Sequence, residues 1–304
     1  RTLPRTVATI PAVPGAAFKD AALCTVAPER AALWFETSAT TQARSGRHYL
    51  ESPALYEAAL LAGFDRAMLA DGVPLRYAML VPDPRERPHS SLGYMMATVA
   101  RERGDGREGW YLRGEGLDVA RLTADVARAH ADGTAVCIAT TAFALVALLD
   151  ELDAGGRSLP LPAASRVMET GGFKGRTRVV GRDELYARAA AAFAIDESAI
   201  VAEYGMTELS SQYYDSTASR PFARRVKIPV PWLRPFVVDG AGNAVPDGTV
   251  GAIRHVDCAN RSSVVAIETE DLGVIVPDGL LLLGREEGAA LRGCSLDAED
   301  LLRR

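Results

Sequence analysis

Long apolar runs and paired cysteines are both missing from this sequence, and each absence excludes a class of protein. No stretch approaches the roughly 18 uncharged apolar residues that a membrane-spanning helix needs. The four cysteines, at positions 24, 137, 258 and 294, have neither CxxC spacing nor a histidine at ligand spacing. A zinc site and a disulfide framework are therefore not expected. Scattered thiols, and first residues without a signal-peptide pattern, predict a cytoplasmic protein.

The sequence also lacks an excess of charge of one sign. Its 34 lysines and arginines nearly balance 39 aspartates and glutamates, which gives a net charge of −5. This balance provides no general attraction to nucleic acid or to anionic lipid. Only three of the basic residues are lysines, and none follows Lys227. With 304 residues, 48% of them hydrophobic, the chain can form two folded domains, or one large domain with a lobe.

Strand-like and helix-like segments alternate over the first two thirds of the chain. Ser52 and Pro53 are a typical helix start, and apolar residues then recur with a period of about 3.6 until Gly72. Further helices are predicted over 91–100, 117–131, 142–152 and 183–193. Strands are predicted over 75–81, 135–140, 166–169 and 200–203. This alternation predicts parallel α/β units with right-handed crossovers.

The pattern changes after about residue 222. Strand-like runs follow one another without a helix between them, at 227–238, 251–256, 264–268 and 280–283. Proline, glycine and asparagine divide these runs, so a small antiparallel lobe is predicted. We therefore expect three parts, namely an α/β core over 1–221, a β-rich subdomain over 222–284 and a C-terminal tail over 285–304.

Hydroxyl groups are concentrated where the first strong strand ends. Residues 34–42 read WFETSATTQ, and four hydroxyls lie within five residues, at Thr37, Ser38, Thr40 and Thr41. Such hydroxyls can donate to phosphate oxygens, and neighbouring backbone N–H groups can form an anion-binding nest. An ordinary turn rich in serine and threonine has the same composition. The segment alone leaves both interpretations open.

Three later segments also mix glycine with polar groups after a strand or a turn. Residues 168–176, METGGFKGR, would let a backbone approach a ligand closely, although many such loops bind nothing. Residues 203–208, EYGMTE, offer a ring for a base, a hydroxyl for a phosphate and a carboxylate for Mg²⁺. A core tyrosine and a first-turn acid are the ordinary alternatives. Residues 268–273, ETEDLG, predict an acidic turn that is either a solvated loop or a partner for sugar hydroxyls.

The order of these segments resembles that of the adenylate-forming acyl ligase superfamily, whose usual motifs are TSGTTG, a glycine loop, YGxTE, TGD and GR. Finer matches, SSLGYMM, METGGFKGR, EYGMTELSSQYYD and LRGCSL, resemble the acyl-protein synthetase (LuxE-type) family, which is related to the phenylacetate–CoA ligases. The resemblance runs from Ile10 to Leu296. It implies a parallel-sheet large domain with a smaller β-rich lobe. Only 19 residues follow Arg285, so the superfamily's mobile C-terminal domain is expected to be absent.

The resemblance also implies ATP and Mg²⁺ as cofactors, and it implies a role for each matching residue. The implied roles are a phosphate loop at Thr37, Ser38, Thr40 and Thr41; adenine and acyl pockets at Gly171, Gly172 and Phe173; adenine stacking by Tyr204 beside Gly205; an α-phosphate contact at Thr207; Mg²⁺ binding at Glu208; ribose binding at Asp271; a hinge at Arg285; and an acyl acceptor at Cys294. Because no lysine follows Lys227, Lys174 or an arginine is expected to supply the catalytic charge.

The function implied is activation of a fatty or aromatic carboxylic acid as acyl-adenylate, followed by acyl transfer to a thiol, that of Cys294. An acyl reductase, a carrier protein or coenzyme A would be the next acceptor. One alternative is a ligase that loads coenzyme A or a carrier protein directly. Another is a scaffold that has lost ATP turnover, because Ala39 and Gln42 replace two glycines of the TSGTTG loop.

Overall fold

The structure is a computed structural model of the 304-residue chain. It describes residue 4 and residues 6–37, 45–114, 116–171, 181–217 and 224–285, apart from the side chain of Arg285. Seven predicted site residues lie outside this described part, namely Ser38, Thr40, Thr41, Gly172, Phe173, Lys174 and Cys294.

The described residues form helices and strands in an alternating order, followed by strands alone. The helices are α1 (Ala17–Asp20), α2 (Ala54–Met68), α3 (Ser91–Arg103), α4 (Val119–Asp132), α5 (Ala142–Ala154) and α6 (Arg182–Phe193). The strands are β1 (Val13–Pro14), β2 (Leu33–Glu36), β3 (Arg47–Leu50), β4 (Leu75–Leu80), β5 (Gly109–Trp110), β6 (Leu112–Arg113), β7 (Gly116–Leu117), β8 (Ala135–Thr141), β9 (Arg166–Thr170), β10 (Ile200–Tyr204), β11 (Tyr213–Asp215), β12 (Lys227–Ile228), β13 (Leu233–Val238), β14 (Gly251–Asp257), β15 (Ala266–Val276) and β16 (Gly279–Arg285).

Three of the helices begin at side chains that cap their first turn. The hydroxyl of Ser90 accepts a hydrogen bond from the Gly93 amide at 3.1 Å, at the start of α3. The carboxylate of Asp118 begins α4, and the hydroxyl of Thr141 begins α5 in the same manner. Each cap satisfies a backbone donor that has no partner within its own helix. The five predicted helices are confirmed, with ends that differ by a few residues.

The chain divides into two compact units. The α/β unit contains the described residues 64–203 and 216–217. Its sheet has the strand order β10–β9–β8–β4–β5, and every neighbouring pair is parallel. Strands β4 and β8 are buried along their whole length, as is usual for a parallel sheet covered on both faces. The predicted parallel arrangement is therefore confirmed.

The β-rich unit contains the described residues up to 63, 204–215 and 224–285. Its strands follow the order β13–β14–β15–β16–β12–β11 with antiparallel neighbours, and β1 lies parallel to β15. The predicted antiparallel lobe is confirmed. The predicted run 227–238 is two strands, β12 and β13, because Pro229 and Pro231 lie between them and a proline offers no N–H to a sheet.

The acidic segment 268–273 lies inside β15, so the prediction of a turn there was wrong. Strand β14 pairs with β15 on one side over residues 266–273, and β16 pairs with it on the other side from residue 271 onwards. Acidic residues have a low intrinsic preference for strands, but pairing and burial outweigh it. Asp271 consequently is only 9% exposed.

The boundaries expected at residues 221/222 and 284/285 stay a prediction, because the compact units are assembled from segments that are distant in the sequence. No helix in the described part of the chain is long and apolar enough to cross a membrane.

Candidate active site

Two of the predicted site residues meet at the end of β10. The hydroxyl of Tyr204 donates a hydrogen bond to Oδ2 of Asp271 on β15, at 2.8 Å, across 67 residues of sequence. Tyr204 is half-buried and Asp271 is nearly buried. In the β15–β16 register, the residue opposite Asp271 is Arg285, the third predicted residue of this group. The structure therefore brings the predicted adenine and ribose contacts together.

The ring of Tyr204 contacts two aromatic residues that the sequence analysis missed. The ring of Tyr204 lies 5.8 Å from those of Tyr213 and His255, measured between centroids, and those two rings are 5.4 Å apart. Nδ1 of His255 is 2.9 Å from the hydroxyl of Tyr213, and Nε2 is 3.4 Å from that of Tyr204. Tyr213 and His255 are fully buried. A histidine within the predicted strand 251–256 was the available sequence signal.

The protonation of His255 fixes the direction of this hydrogen-bond chain. Burial lowers the pKa of His255 to about 4, although the charge of Asp271 acts in the opposite direction. The imidazole is then neutral near pH 7, with one donor and one acceptor nitrogen. Because the Tyr204 hydroxyl donates to Asp271, it accepts from Nε2, and Nδ1 accepts from Tyr213. The chain of donors thus ends on the Asp271 carboxylate.

Thr207 and Glu208 lie in the loop that follows Tyr204, and both are buried. The carbonyl of Thr207 accepts a hydrogen bond from Nδ1 of His48 at 2.7 Å. The carbonyl of Glu208 accepts one from Nδ2 of Asn260 at 2.9 Å. His48 lies on β3 and Asn260 follows β14, so two separate segments hold this loop. The sequence analysis singled out neither residue as a site residue.

The rest of the loop is fixed by a buried carboxylate. Asp257, at the end of β14, accepts hydrogen bonds from the Ser210 amide at 3.0 Å and from the Ser211 hydroxyl at 2.8 Å. Burial raises the pKa of Asp257, and these hydrogen bonds act in the opposite direction. Leu209 packs with Phe18 and Ile267 in a small apolar cluster beneath the loop.

The base of the hydroxyl-rich loop is closed by a reciprocal pair. The Thr37 amide donates to the Gly46 carbonyl, and the Gly46 amide donates to the Thr37 hydroxyl, each at 2.9 Å. A Cβ on Gly46 would lie 2.5 Å from the carbonyl oxygen of Phe18 and 2.9 Å from the Thr37 hydroxyl. Only glycine fits there. The predicted contact of Thr37 with phosphate stays a prediction.

In the α/β unit, polar groups gather where β9 and β10 end. The hydroxyl of Thr170 donates to the carboxylate of Glu203, and the hydroxyl of Tyr186 donates to that of Glu169 at 2.8 Å. Both carboxylates are buried. Gly171 follows with φ of +81°, a left-handed conformation that glycine adopts at little cost. The predicted glycine loop thus begins with the geometry that its sequence requires.

The metal prediction rests on a single carboxylate. Among the described residues, no group of three or more histidine, cysteine, aspartate or glutamate side chains is arranged to bind a metal ion. Mg²⁺ usually binds one or two carboxylates together with phosphates of the substrate and water. The buried Glu208, in the loop next to Tyr204, fits that mode of binding but not an all-protein metal site.

Comparison with known proteins gives matches among solved structures only. Neither the protein-family models nor the curated proteins contain a match. ATP-bound MatB from Rhodopseudomonas palustris is 16% identical with a TM-score of 0.58, over 86% of this chain and 49% of that one. The amide bond synthetase McbA from Marinactinospora thermotolerans is 17% identical with a TM-score of 0.55, over 85% and 49%.

A third solved structure, McyG A-PCP complexed with phenylalanyl-adenylate, is 16% identical with a TM-score of 0.59, over 88% of this chain and 44% of that one. The chain therefore spans about half the length of the solved structures it matches. At such low identity the likeness shows the fold alone. The chain has the α/β fold found in adenylate-forming enzymes, over the part of those enzymes that it covers.

Proposed function

We propose that this chain activates a carboxylic acid with ATP, forming an acyl-adenylate and pyrophosphate. The observation that carries the proposal is the hydrogen bond between Tyr204 and Asp271, with Thr207 and Glu208 in the loop that directly follows. These four residues match the nucleotide motifs of the superfamily in order. The fold is shared with an ATP-bound structure and with one complexed with an adenylate.

The reaction is a displacement at phosphorus. A carboxylate oxygen of the acid attacks the α-phosphorus of ATP, and the bond from that phosphorus to the oxygen bridging the β-phosphate breaks. Pyrophosphate leaves with the bond's electron pair. Negative charge therefore increases on the α-phosphate oxygens and on the leaving group, so donors and cations placed there lower the barrier. Mg²⁺ held by Glu208 would supply part of that positive charge.

The residues of the β-rich unit have separate roles in this proposal. The hydroxyl of Tyr204 donates to the Asp271 carboxylate. In the bound state Asp271 would accept the ribose hydroxyls, since a carboxylate can accept several hydrogen bonds, while the ring of Tyr204 would stack on adenine. The hydroxyl of Thr207 would donate to the α-phosphate. Among residues outside the described part, Lys174 and the 38–41 loop would add donors near the phosphates.

Acyl transfer is the second half of the proposal. A cysteine thiolate attacks the acyl carbon, the bond from that carbon to the AMP oxygen breaks, and AMP leaves. We place the acceptor thiol at Cys294, beyond the hinge residue Arg285, and propose a fatty or aromatic acyl group. An acyl reductase, a carrier protein or coenzyme A would then receive the acyl group. Direct loading of one of the last two is the alternative.

Pyrophosphate exchange tests the first half. The chain is incubated with ATP, Mg²⁺ and a panel of fatty and aromatic acids, and exchange of labelled pyrophosphate into ATP is measured. Exchange that depends on an acid, and that Glu208→Gln and Asp271→Asn abolish, supports the proposal. Asp247→Asn, an exposed carboxylate of the same unit, is the matched control. No exchange with any acid would contradict it and favour a scaffold.

Thioester formation tests the second half. A labelled acid that supports exchange should leave a hydroxylamine-labile acyl group on the chain. Cys294→Ser should keep the exchange and lose the label. A label that persists in this variant, or that maps to Cys24, Cys137 or Cys258, excludes Cys294 as acceptor and favours direct transfer to coenzyme A or a carrier protein.

A further inference from the structure

Two buried side chains hold consecutive carbonyl groups in the loop after β10. His48 donates to the carbonyl of Thr207, with 2.7 Å between nitrogen and oxygen, and Asn260 donates to the carbonyl of Glu208 at 2.9 Å. Both side chains are 0% exposed. We call this pair, His48 and Asn260, the carbonyl clamp. It joins β3 and the segment after β14 to the loop.

The two hydrogen bonds of the carbonyl clamp restrict the backbone of Glu208 above all. The Thr207 carbonyl lies in the peptide plane that enters Glu208, and the Glu208 carbonyl lies in the plane that leaves it. Peptide units are planar, so fixing two adjacent planes fixes both backbone dihedral angles of the residue between them. The direction in which the Glu208 side chain leaves the backbone is then determined.

The ring N–H of His48 is used in the hydrogen bond to the Thr207 carbonyl. Burial lowers the pKa of His48 to about 4, although the Thr207 carbonyl and, to a smaller extent, Asn260 act in the opposite direction. The neutral ring has one N–H, and a carbonyl only accepts, so the hydrogen is on Nδ1. Nε2 is buried as well.

Asn260 is equally committed. Its amide nitrogen donates to the carbonyls of Glu208 and Val264, each at 2.9 Å, and its amide oxygen accepts from the Ser210 hydroxyl at 2.9 Å. Both amide hydrogens are thereby used, and the side chain cannot rotate without breaking three hydrogen bonds. Because Nε2 of His48 is buried and both amide hydrogens of Asn260 are in use, the two side chains hold the loop rigidly and do not form a solvent-exposed contact.

We propose that His48 and Asn260 are positioning residues for adenylation, which aim Thr207 and Glu208 at the α-phosphate and its metal. This inference rests on the proposed function. The loop has contacts besides the clamp, because Asp257 binds Ser210 and Ser211, and Leu209 packs with Phe18. Loss of the clamp is therefore expected to loosen the loop locally and to misaim Glu208.

Two substitutions at His48 separate positioning from packing. Nδ2 of asparagine is bonded to Cγ, as Nδ1 of histidine is, so His48→Asn keeps a donor where the Thr207 carbonyl needs it. Glutamine carries its nitrogen one bond further out and fills more of the histidine's volume. Packing beside Phe18, whose ring lies 5.7 Å from that of His48, would favour glutamine, whereas positioning favours asparagine.

The measurement is pyrophosphate exchange, with kcat and with KM for the acid and for ATP determined separately. We expect His48→Gln to lose about 10²-fold in kcat, with KM for the acid unchanged, since small misplacement of a reacting group has effects of that size. His48→Asn should keep at least about a tenth of the wild-type kcat. Asn260→Asp, which places a carboxylate against the two carbonyls, should lose as much as His48→Gln.

His130→Gln is the matched control, because Nε2 of His130 also contacts a backbone carbonyl, that of Pro160 at 2.9 Å, but on the α/β unit. It should behave as wild type. If activity instead follows the melting temperature, with His48→Asn the poorer of the two, the role is packing and the proposal is wrong.

Hydrogen exchange of the backbone amides of residues 205–212 tests, independently of activity, whether the carbonyl clamp holds the loop. His48→Gln and Asn260→Asp should exchange faster there, and His48→Asn should not. Equal protection in all variants would overturn the clamp even in an active enzyme. A wild-type chain without pyrophosphate exchange would instead overturn the proposed function, while this measurement still decides whether the clamp exists.

Discussion

At the scale of single residues, the Tyr204–Asp271 contact is the centre of the candidate site. Asp271 is a nearly buried carboxylate inside a strand, an arrangement that is costly unless the charge is hydrogen-bonded. The Tyr204 hydroxyl supplies one such bond at 2.8 Å. The same hydroxyl is the last donor of the chain that runs from Tyr213 through His255. A change at Tyr204 therefore acts on the ribose acceptor as well as on the ring.

Tyr204→Phe separates these two effects, because it removes the hydroxyl and keeps the ring. We expect KM for ATP in pyrophosphate exchange to rise about tenfold, since a hydrogen bond to a charged group contributes about 1.5 kcal/mol or more. KM for the acid should not change. Tyr49→Phe, on β3 of the same unit, is the control. An unaltered KM for ATP would show that the Tyr204 hydroxyl does not contribute to ATP binding and would leave only stacking by the ring.

The sequence predicts the residues of the site better than their partners. Tyr204 and Asp271 carry motif signals within short segments, and the structure brings them together. His48 and Asn260 carry none, because the contacts that define them span 159 and 52 residues of sequence. A local pattern records strand, helix and turn preferences, but it holds no information on which distant backbone carbonyl a buried side chain will reach.

At the scale of elements, strand β15 shows where local preference fails. The acidic residues of segment 268–273 predict a turn. Pairing with β14 on one side and with β16 on the other nevertheless continues β15 through this segment. The helices behaved differently, because their apolar periodicity lies within one segment of the chain, and caps such as Asp118 and Thr141 begin them in the structure. The helices were therefore predictable, whereas the extent of β15 depended on its neighbours.

The hairpin of β2 and β3 gives a prediction at this scale. Gly46→Ala places a methyl group 2.5 Å from the carbonyl oxygen of Phe18, so the backbone at the base of the hydroxyl-rich loop must move. We expect a loss of about 1–3 kcal/mol in the free energy of unfolding, as for other overpacked sites. Pyrophosphate exchange should fall as well, because Gly46 directly precedes β3, on which His48 lies.

Gly240→Ala is the control for this prediction, since nothing lies within 4 Å of a Cβ at Gly240. Urea unfolding of both variants provides the comparison. Equal stability of Gly46→Ala and Gly240→Ala would show that the loop base has room that the structure does not indicate.

At the scale of the whole molecule, the β-rich unit is assembled from three segments of the chain, of which the first is distant in sequence from the other two. Sequence order suggested a lobe that begins near residue 222, because strands follow one another from there. The hairpin of β2 and β3 and the loop after β10 belong to the same compact unit, held by His48, Asp257 and Asn260. These are buried polar contacts, which leave no periodic signal in the sequence.

The buried polar groups of this unit also make its stability depend on pH. Burial lowers the pKa of both His48 and His255 to about 4, from 6.5. Below pH 6.5 the unfolded chain binds protons that the folded chain does not, so stability is fully present above pH 6.5 and is lost as the pH falls towards 4. Asp257 acts in the opposite sense, because burial raises its pKa.

Comparing wild type with His255→Gln isolates the contribution of His255 to the pH dependence of stability. His255→Gln removes one proton-binding site of the unfolded chain, so the free energy of unfolding should depend less steeply on pH, by about 1.4 kcal/mol per pH unit between pH 6.5 and 4. Urea unfolding across that range measures the slope, and Asp257 contributes equally to both proteins and cancels. His130→Gln, exposed on α4, should leave the slope as in wild type. An unchanged slope in His255→Gln would mean that His255 is protonated in the folded chain, and the direction assigned to its hydrogen-bond chain onto Asp271 would then be wrong.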